Sequence, residues 1–205
     1  NIILALFLFS DIFYRYSTQS LTFNYAFYYD EEMYVGFEYP DFFTLYSDSH
    51  KERTEFGSIF KRKEIGAFSA SPSAYFGIRI LDIPLRDEMF PDLYPPDNKS
   101  LEILTISDLT GLEIIQDSLT SEKILDVAKN FKFRDVDGFP SAQYSFILTD
   151  SEIGESLVNG ALIITDKYDV SVFFVASIEQ NVEGSFKISL VNKIWNRIIS
   201  SIVFL

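Results

Sequence analysis

Runs of alternating or continuous apolar residues predict β-strands along most of the chain. Met33–Tyr39 alternates and is stopped by Pro40. Tyr75–Ile83, ended by Pro84, is predicted as a central strand. Further strands are predicted at Phe42–Tyr46, Gly57–Lys63, Ser141–Thr149, Leu157–Thr165 and Val170–Ile178, the last two as a hairpin around Asp166–Asp169.

Two segments have the spacing of amphipathic helices. Thr120 or Ser121 can cap a helix that runs to about Asn130. In the tail, Ser185–Phe204, apolar residues recur at helical spacing, so we expect Ile194, Trp195, Ile198 and Ile202 to be buried. Leu101–Ile106 and Leu112–Gln116 fit short strands or part of a helix. The order of strands, helix, strands, helix predicts an α+β fold, an antiparallel sheet flanked by helices.

The N-terminal segment differs from the rest of the chain. Residues 2–9 are uncharged and apolar, but a membrane-spanning helix needs about 20 such residues. The run is typical of the apolar region of a secretory signal, and an uncleaved anchor or a buried element of the fold are the alternatives. We therefore predict a leader or anchor with an aromatic linker over residues 1–27, and a folded domain over 28–205. The Tyr and Phe side chains of residues 13–29 are a candidate contact surface.

Four prolines fall within residues 84–98, together with several acidic side chains. This density of proline is incompatible with the interior of a helix or strand, so an exposed excursion is predicted that can be replaced without loss of stability. Its acidic and apolar side chains suit a basic partner surface, and Asn98 begins a tripeptide that can accept a glycan. The predicted partner-binding residues are Asp87, Glu88, Phe90, Asp92, Leu93, Tyr94 and Asp97.

Charge and composition restrict the function classes. The formal net charge of −13 disfavours nucleic acid and anionic membrane surfaces as ligands. There is no cysteine, and the single histidine, His50, lies in a polar stretch, so a metal site would consist of carboxylates and would suit Ca²⁺ or Mg²⁺. We assign no metal ligand. No phosphate-binding loop or nucleophile elbow occurs, and we predict no catalytic residue and no cofactor.

Three segments resemble the PsbP-like family, named for an extrinsic lumenal subunit of photosystem II. They are Tyr34–Phe43, in which Phe43 stands where the family usually has Trp, Asp137–Tyr144, which has Ser141 as an extra residue, and the hairpin around Asp166–Asp169 with the Ile-rich tail. The resemblance covers about residues 33–205. It implies an α/β/α sandwich, usually on the far side of a membrane, and no shared catalytic residues.

The leading functional hypothesis is a non-catalytic, extracytoplasmic accessory or scaffold subunit of a membrane-associated protein assembly. The alternative is a protein that binds a small ligand or a divalent cation, for which the acidic residues of 84–98 are the motivation. A hydrolase that uses two carboxylates is a minor alternative, although no spacing in the sequence selects a pair.

Overall fold

The computed structural model describes residues 24–53, 59–70, 73–83, 86–110, 120–150, 154–178 and 187–205. Within these ranges lie ten strands and four helices. The strands are β1 (Tyr25–Asp30), β2 (Val35–Pro40), β3 (Thr44–Arg53), β4 (Ile59–Ala70), β5 (Ser73–Asp82), β6 (Lys132–Val136), β7 (Phe139–Asp150), β8 (Gly154–Ile164), β9 (Tyr168–Ser177) and β10 (Val203–Phe204). The helices are α1 (Arg86–Met89), α2 (Asn98–Thr110), α3 (Ser121–Ala128) and α4 (Ile188–Ser201).

The larger sheet has seven strands in the order β3-β4-β5-β9-β8-β7-β6, and every pairing is antiparallel. Strands β3–β5 and β6–β9 form two meanders, which meet where β5 pairs with β9. Strands β8 and β9 are buried on both faces, because both faces of the sheet are covered.

The smaller sheet has three strands in the order β1-β2-β10 and covers one face of the larger sheet. Strand β1 pairs with β2 from Tyr25↔Pro40 to Asp30↔Val35, so residues 25–27, which the sequence analysis assigned to a linker, lie in a strand. The rings of Phe37 and Phe76 pack together between the two sheets, with centroids 5.2 Å apart. The predicted antiparallel sheet flanked by helices, an α/β/α sandwich, is therefore wrong. The protein is mostly β, with few helices, and a second sheet forms much of one outer layer.

Helix α4 lies on the same side as the smaller sheet and contacts β2, β8 and β9. Val191, Ile194, Trp195, Ile198 and Ile199 are its buried residues, and Ile202, directly after the helix, is buried as well. The predicted apolar face of the tail is confirmed, because these side chains recur at helical spacing and join the main core.

Helices α2 and α3 cover the opposite face of the larger sheet. Helix α2 contacts β7, β8 and α3, and helix α3 contacts β7. The predicted N-cap of α3 is confirmed, because the Thr120 hydroxyl accepts a hydrogen bond from the Lys123 amide. Residues 101–106, for which strand and helix were both open, lie in α2. The segment 112–116 lies outside the described residues.

Three aromatic rings, on the face of the larger sheet that α2 and α3 cover, lie directly over glycines of the neighbouring strand. Tyr46 is paired with Gly66, Phe173 with Gly77, and Tyr144 with Gly160. A Cβ atom at any of these glycines would collide with the ring opposite. Glycine is therefore required here for close approach of the ring to the backbone.

Candidate functional site

A cavity of about 410 Å³ lies on the face of the larger sheet that α2 and α3 cover. It is bounded by α2, the segment 90–94 and strands β4, β5, β8 and β9. Its volume is in the range of small-molecule sites, which are usually concave and mostly apolar with a few polar groups. The apolar lining consists of Leu81, Ile83, Phe90, Leu93, Leu104 and Leu162, and the polar lining of Arg62, Arg79, Tyr94, Ser107, Asp108 and Asp169.

The register of the sheet places charged residues in two adjacent rows beneath this cavity. Glu64 of β4 pairs with Arg79 of β5, which pairs with Ser171 of β9. In the next row Arg62 of β4 and Asp169 of β9 lie on either side of Leu81. Because residues two apart in a strand share a face, all these side chains point toward α2 and the excursion.

The first charge pair joins the excursion to the sheet. Arg86 Nη1 lies 2.5 Å from Asp169 Oδ1, and the Tyr94 hydroxyl donates to Asp169 Oδ2 at 2.5 Å. Arg86 also donates to the carbonyl oxygen of Thr165, and its guanidinium lies 4.7 Å from the centroid of the Tyr94 ring. Arg86, Asp169 and Tyr94 are all buried. The cluster therefore fixes both ends of segment 86–94 to the β8–β9 hairpin.

Burial dominates the electrostatics of this cluster. It raises the pKa of Asp169 above the usual value, although the Tyr94 hydrogen bond and the Arg86 charge oppose this shift. Burial, followed by the negative charge of Asp169, also raises the pKa of the Tyr94 hydroxyl. The hydroxyl therefore stays protonated and serves as a hydrogen-bond donor.

The second charge pair joins α2 to the sheet. Arg79 Nη2 forms an ion pair with Asp108 Oδ1, and the Ser171 hydroxyl donates to the same oxygen at 2.6 Å. Asp108 Oδ2 is buried and has no hydrogen-bond partner among the described residues. Beside this pair, burial raises the pKa of Tyr144, and the charge of Asp108 adds to the shift. The pair has the capacity to accept one further hydrogen bond at Oδ2.

The third charge pair lies at the edge of the cavity, on β4. Arg62 Nε donates to Glu64 Oε1 at 3.0 Å, and a second guanidinium nitrogen contacts the same oxygen. Both side chains are partly exposed, at 22% and 35%. Water and solutes can therefore reach this pair more easily than the two buried pairs.

The predicted partner-binding residues divide into two groups. Asp87, Glu88 and Asp92 are exposed, and Asp97 is exposed at the start of α2, where it accepts a hydrogen bond from the Ser100 amide at 2.7 Å. That backbone hydrogen bond holds the pKa of Asp97 below its usual value. Phe90, Leu93 and Tyr94 instead line the cavity, and Asn98, the predicted glycan acceptor, is exposed.

The expectation that the excursion is dispensable for stability is contradicted by Arg86 and Tyr94. Tyr94 belongs to a core cluster with Leu101, Ala142, Leu162 and Ile164. Residues 86–89 also form the short helix α1, which proline density was expected to exclude. The prolines at 91, 95 and 96 lie outside α1, so a single turn could form before them.

Several other predictions from the sequence concern residues that lie wholly or partly outside the described ranges. The proposed leader, most of the aromatic linker and Pro84 lie outside the described residues, as does the side chain of His50 on β3. Within the described ranges, no group of three His, Cys, Asp or Glu side chains could hold a metal ion. In the same ranges, no helix has both the length and the apolar character needed to cross a bilayer.

The two buried charge pairs were not identified from the sequence. Arg86 and Asp169 are 83 residues apart, and Arg79 and Asp108 are 29 apart, so no local motif connects them. One signal was available, because Arg79 is a charged residue in the middle of a strand that is otherwise apolar. A buried arginine requires a carboxylate partner or several acceptors, which points to a polar site on that face.

Comparisons with known proteins do not assign this site. No family model matches the chain, and no curated protein matches it. A crystal structure of a protein from Bacteroides thetaiotaomicron VPI-5482 aligns with 87% of the chain, at 8% identity and a TM-score of 0.47. The chain spans about half the length of that protein, since the alignment covers 48% of it.

Proposed function

We propose that the protein is a non-catalytic binding module that holds a small, mainly apolar molecule in the cavity beneath α2. The observation that carries the proposal is the combination of an apolar wall with polar side chains fixed by buried ion pairs. Binding sites for small molecules are usually preformed in this way, with few polar groups that orient the ligand. Arg79, Asp108 and Asp169 are held by partners in the sheet and helices and do not depend on a ligand for their position.

Titration with the neutral fluorophore Nile red tests the proposal. We expect its emission to increase on binding, and we expect Leu104→Trp, which fills the cavity from α2, to abolish the increase. Ile103→Trp is the matched control, because Ile103 is the preceding residue of the same helix and is 47% exposed. If Leu104→Trp binds Nile red as the wild type does, the cavity is not the site and the proposal is wrong.

A second candidate function is the accessory subunit of a membrane-associated assembly outside the cytoplasm. It is favoured by the exposed carboxylates of Asp87, Glu88 and Asp92, which lie close in sequence to the exposed Phe90. The PsbP-like resemblance supports the same hypothesis, since such proteins are usually found across a membrane from the cytoplasm.

Charge reversal at Glu88 and Asp92 tests this second candidate without changing Arg86, Tyr94 or Asp87, whose carboxylate lies 3.1 Å from Arg86 Nε. We expect the double lysine variant to melt like the wild type and to lose its partners in a pulldown from solubilised membranes. Reversal of Glu31 and Asp41, which are also exposed, is the control for net charge. Equal recovery of partners by both variants would locate the interface elsewhere.

A further inference from the structure

Three arginines near the cavity, in the described part of the chain, are each paired with a carboxylate: Arg62 with Glu64, Arg79 with Asp108, and Arg86 with the buried Asp169 and the exposed Asp87. Four of these side chains, Arg62, Arg79, Asp108 and Asp169, line the cavity itself. Each charge that faces the ligand space thus already has a counter-charge within hydrogen-bonding distance. The arrangement is balanced even though the whole chain carries a formal net charge of −13.

A charged ligand would disturb this balance. A cation that bound to Asp108 or Asp169 would compete with the arginine already paired there and leave that guanidinium buried with a weakened partner. An anion that bound to Arg79 would do the same to Asp108. Breaking a buried pair is costly because the remaining charge is no longer compensated, so either exchange opposes binding.

An uncharged head group avoids this cost. It can accept a hydrogen bond from a guanidinium and donate one to a carboxylate oxygen, and both types of group line the cavity. Asp108 Oδ2 is one acceptor without a hydrogen-bond partner in the described residues. The alkyl or aromatic body of such a molecule would contact Leu81, Ile83 and Leu104.

We propose that the ligand of this cavity is an uncharged molecule with an apolar body and a head group that both donates and accepts hydrogen bonds, such as a primary amide or an alcohol. This inference rests on the proposed function, because it specifies the ligand of the same cavity. It distinguishes this cavity from a site for a fatty acid or an amine, which would need an opposite charge that is not already paired.

Competition between Nile red and four compounds with the same eight-carbon chain tests the inference. We expect octanamide and octanol to displace Nile red at concentrations about tenfold lower than octanoate or octylamine. Displacement by either charged compound at an equal or lower concentration would overturn the inference. Failure of octanamide and octanol to compete at all would also overturn it.

A change in the charge balance provides the second arm of the test. Glu64→Gln removes the carboxylate charge that pairs with Arg62, so we expect octanoate to bind about tenfold more tightly than to the wild type, with octanamide unchanged. Both residues are partly exposed, so we expect Glu64→Gln to fold like the wild type. Glu38→Gln is the matched control, because it removes one carboxylate from a pair with Arg197 in the layer on the other side of the sheet.

The two proposals fail in different ways. If Nile red binds equally well after Leu104→Trp, the cavity does not bind ligands and the proposed function fails. If Nile red binding requires the open cavity but a charged octyl compound competes best, the function stands and the inference of an uncharged ligand fails. An equal gain in octanoate binding by Glu64→Gln and Glu38→Gln would also count against the inference, because the effect would then follow net charge alone.

Discussion

Removal of one hydroxyl group, in Tyr94→Phe, tests how the excursion is held. The substitution keeps the ring, and with it the contact with the Arg86 guanidinium and the packing against Leu101 and Leu162. It removes the hydrogen bond of 2.5 Å to Asp169 Oδ2. We therefore expect a loss of stability because the buried Asp169 carboxylate loses a hydrogen bond, and not because packing around the ring is lost.

The magnitude follows from the charge and burial of the acceptor. Hydrogen bonds to charged groups contribute about 1.5–3 kcal/mol, and a buried acceptor that loses its donor is not rehydrated. For a chain of this length, 1 kcal/mol changes Tm by about 2–4 °C, so Tm should fall by about 3–12 °C. Tyr94→Ala, which also removes the ring from the core, should cost about 3–5 kcal/mol.

Urea unfolding followed by the fluorescence of Trp195, which is buried on α4, measures these losses. Tyr34→Phe is the control, because Tyr34 is 51% exposed, and a change below about 0.5 kcal/mol is expected there. If Tyr94→Phe is as stable as Tyr34→Phe, the hydroxyl does not anchor the excursion.

Three further substitutions test the packing, the electrostatics and the sheet. Ile198→Ala should cost about 2–5 kcal/mol in urea unfolding, because Ile198 is fully buried, whereas Asn196→Ala on the exposed side of α4 should cost little. Although burial opposes the shift, hydrogen bonds from Lys63, the Met33 amide and Tyr28 hold the pKa of Asp30 below its usual value. The ionised form of Asp30 therefore stabilises the fold above the pKa of an unfolded aspartate, about 4. As the pH falls below about 4, the difference in Tm between the wild type and Asp30→Asn should shrink. A difference that stays constant from about pH 7 to pH 3 would contradict this. Gly160→Ala should lower the stability measured by thermal unfolding by about 1–3 kcal/mol, because the new Cβ displaces the buried Tyr144 ring. Gly138→Ala is the control that separates this collision from backbone strain, because its added Cβ has open space while its backbone has φ +83°.

The elements that the sequence predicted correctly have signals confined to a few neighbouring residues. The β8–β9 hairpin follows from two apolar runs around a short polar turn. Thr120 caps α3 because its hydroxyl accepts a hydrogen bond from the amide of Lys123, three residues later. The buried face of α4 follows from helical spacing alone. In each case the residues that determine the structure are close in sequence.

The elements that were missed depend on distant partners. Strand β1 has aromatic side chains on both faces and becomes recognisable as a strand only when paired with β2. Strand β6 is short and mostly exposed, so it has little apolar alternation. The predicted sandwich failed for the same reason, because the second sheet is assembled from β1, β2 and the last residues of the chain.

The candidate site was only partly accessible to sequence reasoning. Phe90, Leu93 and Tyr94 were selected as contact residues, and they do line a cavity, but as its wall and not as part of a protruding surface. The excursion was interpreted as exposed because of its prolines, whereas Arg86 and Tyr94 reach a carboxylate that lies more than 70 residues later. A charge pair between separate meanders has no local signature.

The aromatic rings that lie over glycines have a consequence for how this sheet selects one alignment of its strands. A slip of two residues between β3 and β4 would keep the same face but bring Tyr46 opposite Glu64 or Phe68, where a side chain occupies the space that Gly66 leaves open. Phe173 opposite Gly77 and Tyr144 opposite Gly160 impose the same restriction on two further strand pairs. The three glycines thus fix the register of three strand pairs. The alignment of the charged Arg79 of β5 with Ser171 of β9 is set by Gly77 and Phe173, which are themselves uncharged.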